Sequence, residues 1–402
     1  MLDLLIRNKS FRTLILFYIF NDSSVILLQM ANGWLTLAIT NSVFWTGAVY
    51  GFGGIGVVSF SLFGGILADK MNRKRILQIT QPIDFICTLI LGCSIYFHLI
   101  SLWQILLIVL ITGAIAGVRL PTREALLLDV VGKKKLVHAI SVSFVLFTIL
   151  GLLIPITNGI LIDLDMSIVY FICSILILFS LLTITRLNIY SNHLVNESRV
   201  SFLSWSSINE IIKYLQNENI IKQILIIMLV SEIFGWSHNS MLPVMIREVF
   251  KLPATSLGLA LSFASIGALI GTIIISQLSK SSYIYLIIGL MGFGVFLIGF
   301  SMANYFYLAV FCLTLAWGFA FIFEIKIYSY LQLITSDRMR GRILSLLAIS
   351  YGLSSVSGFV NGTVGKFLGV EYAISLLGVF LMIMAIYAMF KLKNIDQKIE
   401  NV

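Results

Sequence analysis

Residues 283–301, "YIYLIIGLMGFGVFLIGFS", carry no charge at all, and eleven other stretches of the chain are nearly as apolar. No other feature constrains the fold as strongly. Backbone N–H and C=O groups find no water in lipid, and a helix of about 20 apolar residues pairs them internally while crossing the ~30 Å hydrocarbon core. The stretches run approximately over 13–39, 45–68, 76–97, 102–120, 137–162, 167–187, 221–246, 256–278, 282–302, 304–332, 343–367 and 371–391. They predict an all-α membrane protein with twelve transmembrane helices. Hydrophobic residues make up 59% of the 402 positions, where a soluble domain has about half. The longest segment between stretches, Leu187 to Ile220, leaves no room for a soluble domain.

Arg7, Lys9 and Arg12 precede the first stretch, which is too long for a signal peptide and is followed by no small-residue cleavage site, so it is expected to remain as the first helix. Cys87, Cys93, Cys173 and Cys312 fall inside stretches without metal-ligand spacing and read as small apolar packers. No cofactor and no metal are expected.

The net charge of +9 is explained by where the charges lie. With both termini cytoplasmic, 23 of the 27 Lys and Arg fall on the cytoplasmic side, and only Arg247, Lys251 and Lys366 fall outside, with Lys326 inside a stretch. That asymmetry is the positive-inside rule. It assigns the basic excess to orientation and anionic lipid in a multi-pass protein of the cell membrane, and excludes nucleic acid as a partner.

The chain divides into a six-helix half over residues 1–187, a cytoplasmic linker over 188–220 and a second six-helix half over 221–402. Duplication of this kind puts a transport site at the interface of the halves near the bilayer midplane. Within the linker, Ile211, Ile212, Leu215 and Ile220 recur at helical spacing among polar residues, which predicts a short amphipathic helix on the membrane face. The segments "LLDVVGKKKLVHAI" and "YLQLITSDRMRGRI" keep a trace of the repeat.

Between the second and third stretches lies "GGILADKMNRKRIL". It resembles the signature loop of the major facilitator superfamily, roughly G-x-x-x-D-[RK]-x-G-[RK]-[RK]. Gly65, Asp69, Lys70, Arg73 and Lys74 match, and Asn72 stands where the pattern has Gly, as a residue that tolerates a left-handed turn. Gly65 would allow close helix approach and Asp69 would cap or charge-pair at a helix start. "FRTLILFYIF", "VRLPTREALLLDVV", "MLPVMIREVFKLPATSLGLALSFASIGALIGT" and "DRMRGRILSLLAISYGLSSVSGF" resemble the twelve-span branch that includes macrolide-efflux and enterobactin-exporter-like proteins. The resemblance implies the major facilitator fold, with two pseudo-symmetric halves, and export of an amphipathic small molecule, usually in exchange for protons. The superfamily's antiporter motif, roughly G-x-x-x-G-P-x-x-G-G, meets "LGLLIPITNG" here, which retains only Pro155 and Gly159. Gly151, Pro155 and Gly159 still share a face, permitting a bend and close packing, and generic helix packing explains them equally.

An ionisable group inside the bilayer costs several kcal/mol on insertion scales, which makes each one a functional candidate. Asp22, Asp84, Glu232, His238, Glu324 and Lys326 lie within stretches. Facilitator folds line their cavity with helices 1, 4, 7 and 10, so the resemblance turns all but Asp84 toward the pathway. Asp22, Glu232 and Glu324 each lie roughly 12–17 Å from the cytoplasmic end of their helix and could meet at one depth. Gln29, Asn239, Trp317 and Tyr328 follow or precede them at helical spacing. These residues form the candidate substrate and proton-coupling set, with packing among buried polar groups as the alternative. Asp84, beside Pro82, reads as structural. Arg119, Arg123 and Glu124 after the fourth stretch, with Arg340 and Arg342 after the tenth, read either as a solvated cytoplasmic mouth or as a gate.

The expected protein is a monomeric secondary transporter in the lipid bilayer, with a small-molecule substrate and protons as partners, working as an efflux antiporter. A nutrient- or lipid-transporting facilitator, or a non-transporting membrane sensor, remains an alternative. No phosphate-binding Gly-rich loop or His-Glu-x-x-His helix points to an enzyme.

Overall fold

The computed structural model describes residues 8–132, 135–187, 205–278, 282–336, 339, 343, 349–350 and 352–393, with the side chains at 62, 69, 137 and 205–209 excepted. The first half contains α1 (Lys9–Thr40), α2 (Val43–Lys70), α3 (Arg73–Tyr96), α4 (Leu102–Val131), α5 (Leu136–Leu164) and α6 (Met166–Arg186). The short α7 (Trp205–Asn217) follows. The second half contains α8 (Asn219–Val249), α9 (Ala254–Gln277), α10 (Tyr283–Ser301), α11 (Phe306–Ile334), α12 (Gly358–Leu368) and α13 (Val370–Lys391). Eleven described helices are long and apolar enough to cross a membrane, and α12 is the described end of the remaining span.

Side chains set the helix ends. Asn8 accepts from the Phe11 amide to cap α1, and Asn41, at φ 46°, ends it in the left-handed conformation that Asn tolerates. Asn72 behaves differently from the turn expected of it. At φ −62° and ψ 115° it is extended, and its side chain accepts from the Arg75 amide as the N-cap of α3. A cap needs an acceptor side chain, which the glycine of the superfamily pattern lacks.

In the first half α2 packs on α4 and α3 on α6; in the second, α9 packs on α11 and α10 on α13. The halves meet where α5 lies against α9 and α2 against α12. Glycines allow these approaches: a Cβ on Gly159 would stand 2.6 Å from the Ala254 carbonyl oxygen, and Gly47 abuts the backbone of Gly358 and Gly362. Gly65 has nothing within 4 Å, and it is Gly64 that packs against Gly117 and Val118 of α4. Lipid-facing side chains such as Leu153, Ile175 and Phe390 are more than half exposed.

α1 begins and α13 ends on one face of the bundle, here the near face; the far face carries the α1–α2, α3–α4 and α5–α6 turns. On the near face α7 buries Ile211 and leaves Ile212 half exposed, as an amphipathic helix requires. Arg73 donates to the Ala68 and Ala125 carbonyls and pairs with Asp129, while Lys74 donates to the carbonyls of Thr185 and Leu187. The basic turn therefore ties the ends of α2, α4 and α6 together. Lys70 is exposed, and the Asp69 side chain lies outside the described ones.

Candidate functional site

The two halves repeat a site. Asp22 and Gln29 of α1 lie 210 residues before Glu232 and Asn239 of α8, and α1 and α8 also begin 210 residues apart. The partner helices α4 and α11 follow a shorter offset. Gly113 and Gly117, where α4 meets α2, lie 201 residues before Thr314 and Gly318, where α11 meets α9. Arg123 and Glu324 share that spacing. Each half thus sets a carboxylate on its first helix against one position on its fourth.

The two halves satisfy that carboxylate in opposite ways. In the first, Asp22 forms an ion pair with Arg123, whose guanidinium stacks 3.8 Å from the centre of the Tyr18 ring. Asn21 donates to the same Asp22 oxygen, and Gln81 and Ser180 extend the chain of bonds into α3 and α6. One turn away Arg119 pairs with Asp84, both buried. Two charged pairs so enclosed must satisfy each other, because an unpaired charge there costs several kcal/mol. In the second half, Glu232 and Glu324 are neighbours, each carboxyl group close enough to act on the other. The Trp236 indole donates to Glu324 Oε1 at 2.5 Å, and Glu232 Oε2 is buried with no protein partner.

The helix carrying Glu232 is interrupted. α8 is α-helical to Gly235, tightens to a 3₁₀ turn over Trp236–Met241, and ends in a π turn over Met245–Val249. Pro243 removes an amide two residues beyond the tightened segment, and side chains take up the freed carbonyls. Asn361 and Ser240 donate to the Ser237 oxygen, and Ser357 donates to that of Ile233. His238 Nδ1 lies 2.5 Å from the Gly235 oxygen and so carries the proton, which leaves Nε2 to accept from the Trp317 indole at 3.2 Å. The interruption thereby turns Trp236 toward Glu324 and Asn239 into the space between the halves.

That space is a cavity of about 140 Å³ lined by Gln29, Tyr50, Phe147, Asn239, Ser265 and Trp317. Gln29 on α1 and Asn239 on α8 face it from opposite halves, and the Tyr50 hydroxyl donates to the Gln29 carbonyl. Phe147, Trp317 and the leucines of α9 give it apolar walls. Amide dipoles on an apolar surface fit a ligand with hydrogen-bonding groups on a hydrophobic body.

The sequence candidates separate into groups. Glu232 and Glu324 are brought together; Gln29, Asn239 and Trp317 share the cavity wall. Asp22 is not with them, because Arg123 holds it inside the first half. Arg119 and Arg123 do not form a solvated mouth: α4 continues through Pro121 to Val131, which carries both into the bundle, where they pair with Asp84 and Asp22 and not with loop residues. Asp84 pairs with Arg119 rather than with backbone freed by Pro82. Glu124 is exposed, Tyr328 is 42% exposed, and Lys326 stands over the Tyr285 ring. Arg340 and Arg342 lie outside the described residues. Gly151, Pro155 and Gly159 line the face of α5 that meets α9, and Ser265 donates across the halves to the Gly151 carbonyl. Sequence reasoning missed Trp236, Tyr18 and Asp163; an indole four residues from an intramembrane carboxylate was the available signal for the first. Among the described residues no cluster of side chains could hold a metal ion.

A duplicated bundle with a cavity between its halves agrees with the sequence relationship: residues 5–401 match the family described as transmembrane secretion effector. The chain belongs to that family of major facilitator transporters. Transmembrane secretion effectors are multi-pass membrane proteins, and this one is 24% identical to the staphyloferrin A transporter of Staphylococcus aureus over 95% of its own length and 98% of the relative's. Its fold is that of a bacterial homolog of the human lysosomal transporter Spinster in its inward-facing, unoccupied conformation (TM-score 0.77, 13% identity, 98% and 97% of the two chains). It is also that of a POT family transporter in complex with a thioalcohol-conjugated peptide (TM-score 0.75, 12% identity, 96% of each) and of a D-xylose–proton symporter (TM-score 0.68, 16% identity, 95% and 96%).

Proposed function

We propose that this transporter exports amphipathic small molecules, siderophores among them, in exchange for protons, by rocking its halves about the central cavity with both chain ends in the cytoplasm. The observation that carries this reading is the proximity of Glu232 and Glu324. Two neighbouring carboxyl groups inside a membrane share a proton or repel each other. The first half solves the same problem with Arg123 and has no need of a mobile charge. The second half contains no cation at that position, so a proton fits it, and its arrival or departure changes how tightly α8 and α11 hold together.

The similarity to a staphyloferrin A transporter supports a siderophore-type cargo. The paired amides and aromatic walls of the cavity support an amphipathic one. With Arg119 and Arg123 set aside as bundle residues, the sequence still places most of the basic residues toward the side where α1 begins and α13 ends, which supports cytoplasmic termini.

The test is uptake of amphipathic drugs and siderophores into inverted vesicles under an imposed pH gradient. Accumulation that follows the gradient is expected. Glu324→Gln should abolish gradient-driven accumulation while the protein remains folded and still binds the compounds. Accumulation indifferent to the gradient, or normal coupling in that variant, would remove the carboxyl pair from the mechanism, and uptake only into right-side-out vesicles would reverse the direction.

A further inference from the structure

On the far face, α9 begins without a side-chain cap of its own, since the residue at its N-cap is Pro253. Its first amides are satisfied from the other half of the molecule. Asp163, in the last turn of α5, accepts from the Ala254 amide at 2.9 Å, the Thr255 amide at 2.8 Å and the Thr255 hydroxyl at 2.6 Å. A carboxylate so placed does what an N-cap side chain does and also meets the positive end of the helix dipole. Two residues on, Asp165 accepts from the Ser167 amide and caps α6 of its own half. Two aspartates in one turn thus cap two helices, one on each side of the interface.

Directly beneath, Gly159 lets the start of α9 approach α5, and Gly258 answers it against Pro155. Beside them Arg247 donates to the side chain of Asn41, the left-handed residue that ends α1.

We propose that Asp163 is the latch of the far-face gate. Its three bonds cross from one half to the other, so they exist only while the far face is closed, and opening leaves the α9 amides uncapped. The capping free energy therefore weights the equilibrium toward the state open on the near face. The latch rests on the alternating access proposed above, yet it needs neither the proton nor any particular cargo. Thr255 contributes the side-chain bond, and the Asp163 charge the remainder.

The test is a distance measurement between spin labels on the far face, one per half, at Leu99→Cys and Tyr307→Cys, which are 70% and 85% exposed. The four native cysteines are first replaced by alanine, and the full-length protein is reconstituted in lipid without substrate. Asp163→Ala should raise the ratio of far-face-open to far-face-closed molecules by roughly 2- to 30-fold, the range that loss of an N-cap implies. Asp163→Asn and Thr255→Val should give smaller shifts in the same direction, and Asp165→Ala should leave the ratio unchanged. An unchanged distance distribution in Asp163→Ala, or an equal shift in Asp165→Ala, would overturn the latch. If Asp163→Ala fails to fold, Asp163→Asn and Thr255→Val decide the matter on the same ratio. Because the readout involves no transport, its failure is separable from failure of the exporter reading.

Discussion

Arg123→Met tests whether the first-half pair is a structural ion pair. Arg123 is 15% and Asp22 4% exposed at the side chain. Removing one partner of a pair so enclosed leaves a buried charge unpaired, at about 3–5 kcal/mol. For a half of roughly 190 residues, each kcal/mol moves the midpoint by about 2–4 °C, so the variant should unfold some 6–20 °C below the parent. Asp22→Asn combined with Arg123→Met removes both charges, and Asn keeps an oxygen for the Asn21 bond. The residual loss is then the Arg123–Tyr18 stacking, about 1–2 kcal/mol. The double variant should thus recover most of the stability lost by the single one, as a strongly coupled pair must. Thermal unfolding of the detergent-solubilised protein, followed by aggregation or intrinsic fluorescence, measures each corner of the cycle. Equal midpoints for Arg123→Met and the parent, or no recovery in the double variant, would refute a structural ion pair at this position.

Two further substitutions test the packing. Gly258→Val would drive a side chain into the Pro155 backbone, and it should open the far face more than Asp163→Ala does in the same label-distance measurement; Gly65→Ala, inside α2 with nothing within 4 Å, should leave the distance unchanged and raise stability by up to about 1 kcal/mol. Lys74→Met frees the Thr185 and Leu187 carbonyls at the end of α6, and should cost about 1–3 kcal/mol in thermal unfolding, as loss of charged hydrogen bonds does.

Much of the fold was legible because lipid imposes a simple rule on the chain. Runs such as 283–301 need no knowledge of their neighbours to be read as spans. Glu232 and Glu324 were legible as candidates for the same reason: a charge in such a run stands out, and depth along a helix can be counted. What a charge pairs with depends on how helices rotate about their axes. Asp22 and Arg123 are 101 residues apart and Asp84 and Arg119 are 35 apart, and no local pattern links them. By sequence the fourth stretch ends near residue 120, because two arginines and a proline interrupt its apolar run. The helix continues because each arginine finds an aspartate inside the bundle. The tightened turn at Trp236–Met241 was invisible for a related reason, since Asn361, Ser357 and Trp317, which make it tolerable, lie on other helices.

The different treatment of Asp22 and Glu232 has an electrical consequence. A neutral ion pair feels no net pull from the membrane potential, so the first half is insensitive to voltage at this position. On the reading proposed above, the carboxyl pair of the second half gains and loses a unit charge during the cycle, and a unit charge carried across 100 mV is worth about 2.3 kcal/mol. The two matched arrangements then divide the labour: one is a fixed reference frame, and the other is the place where the potential of the cell does work on the protein.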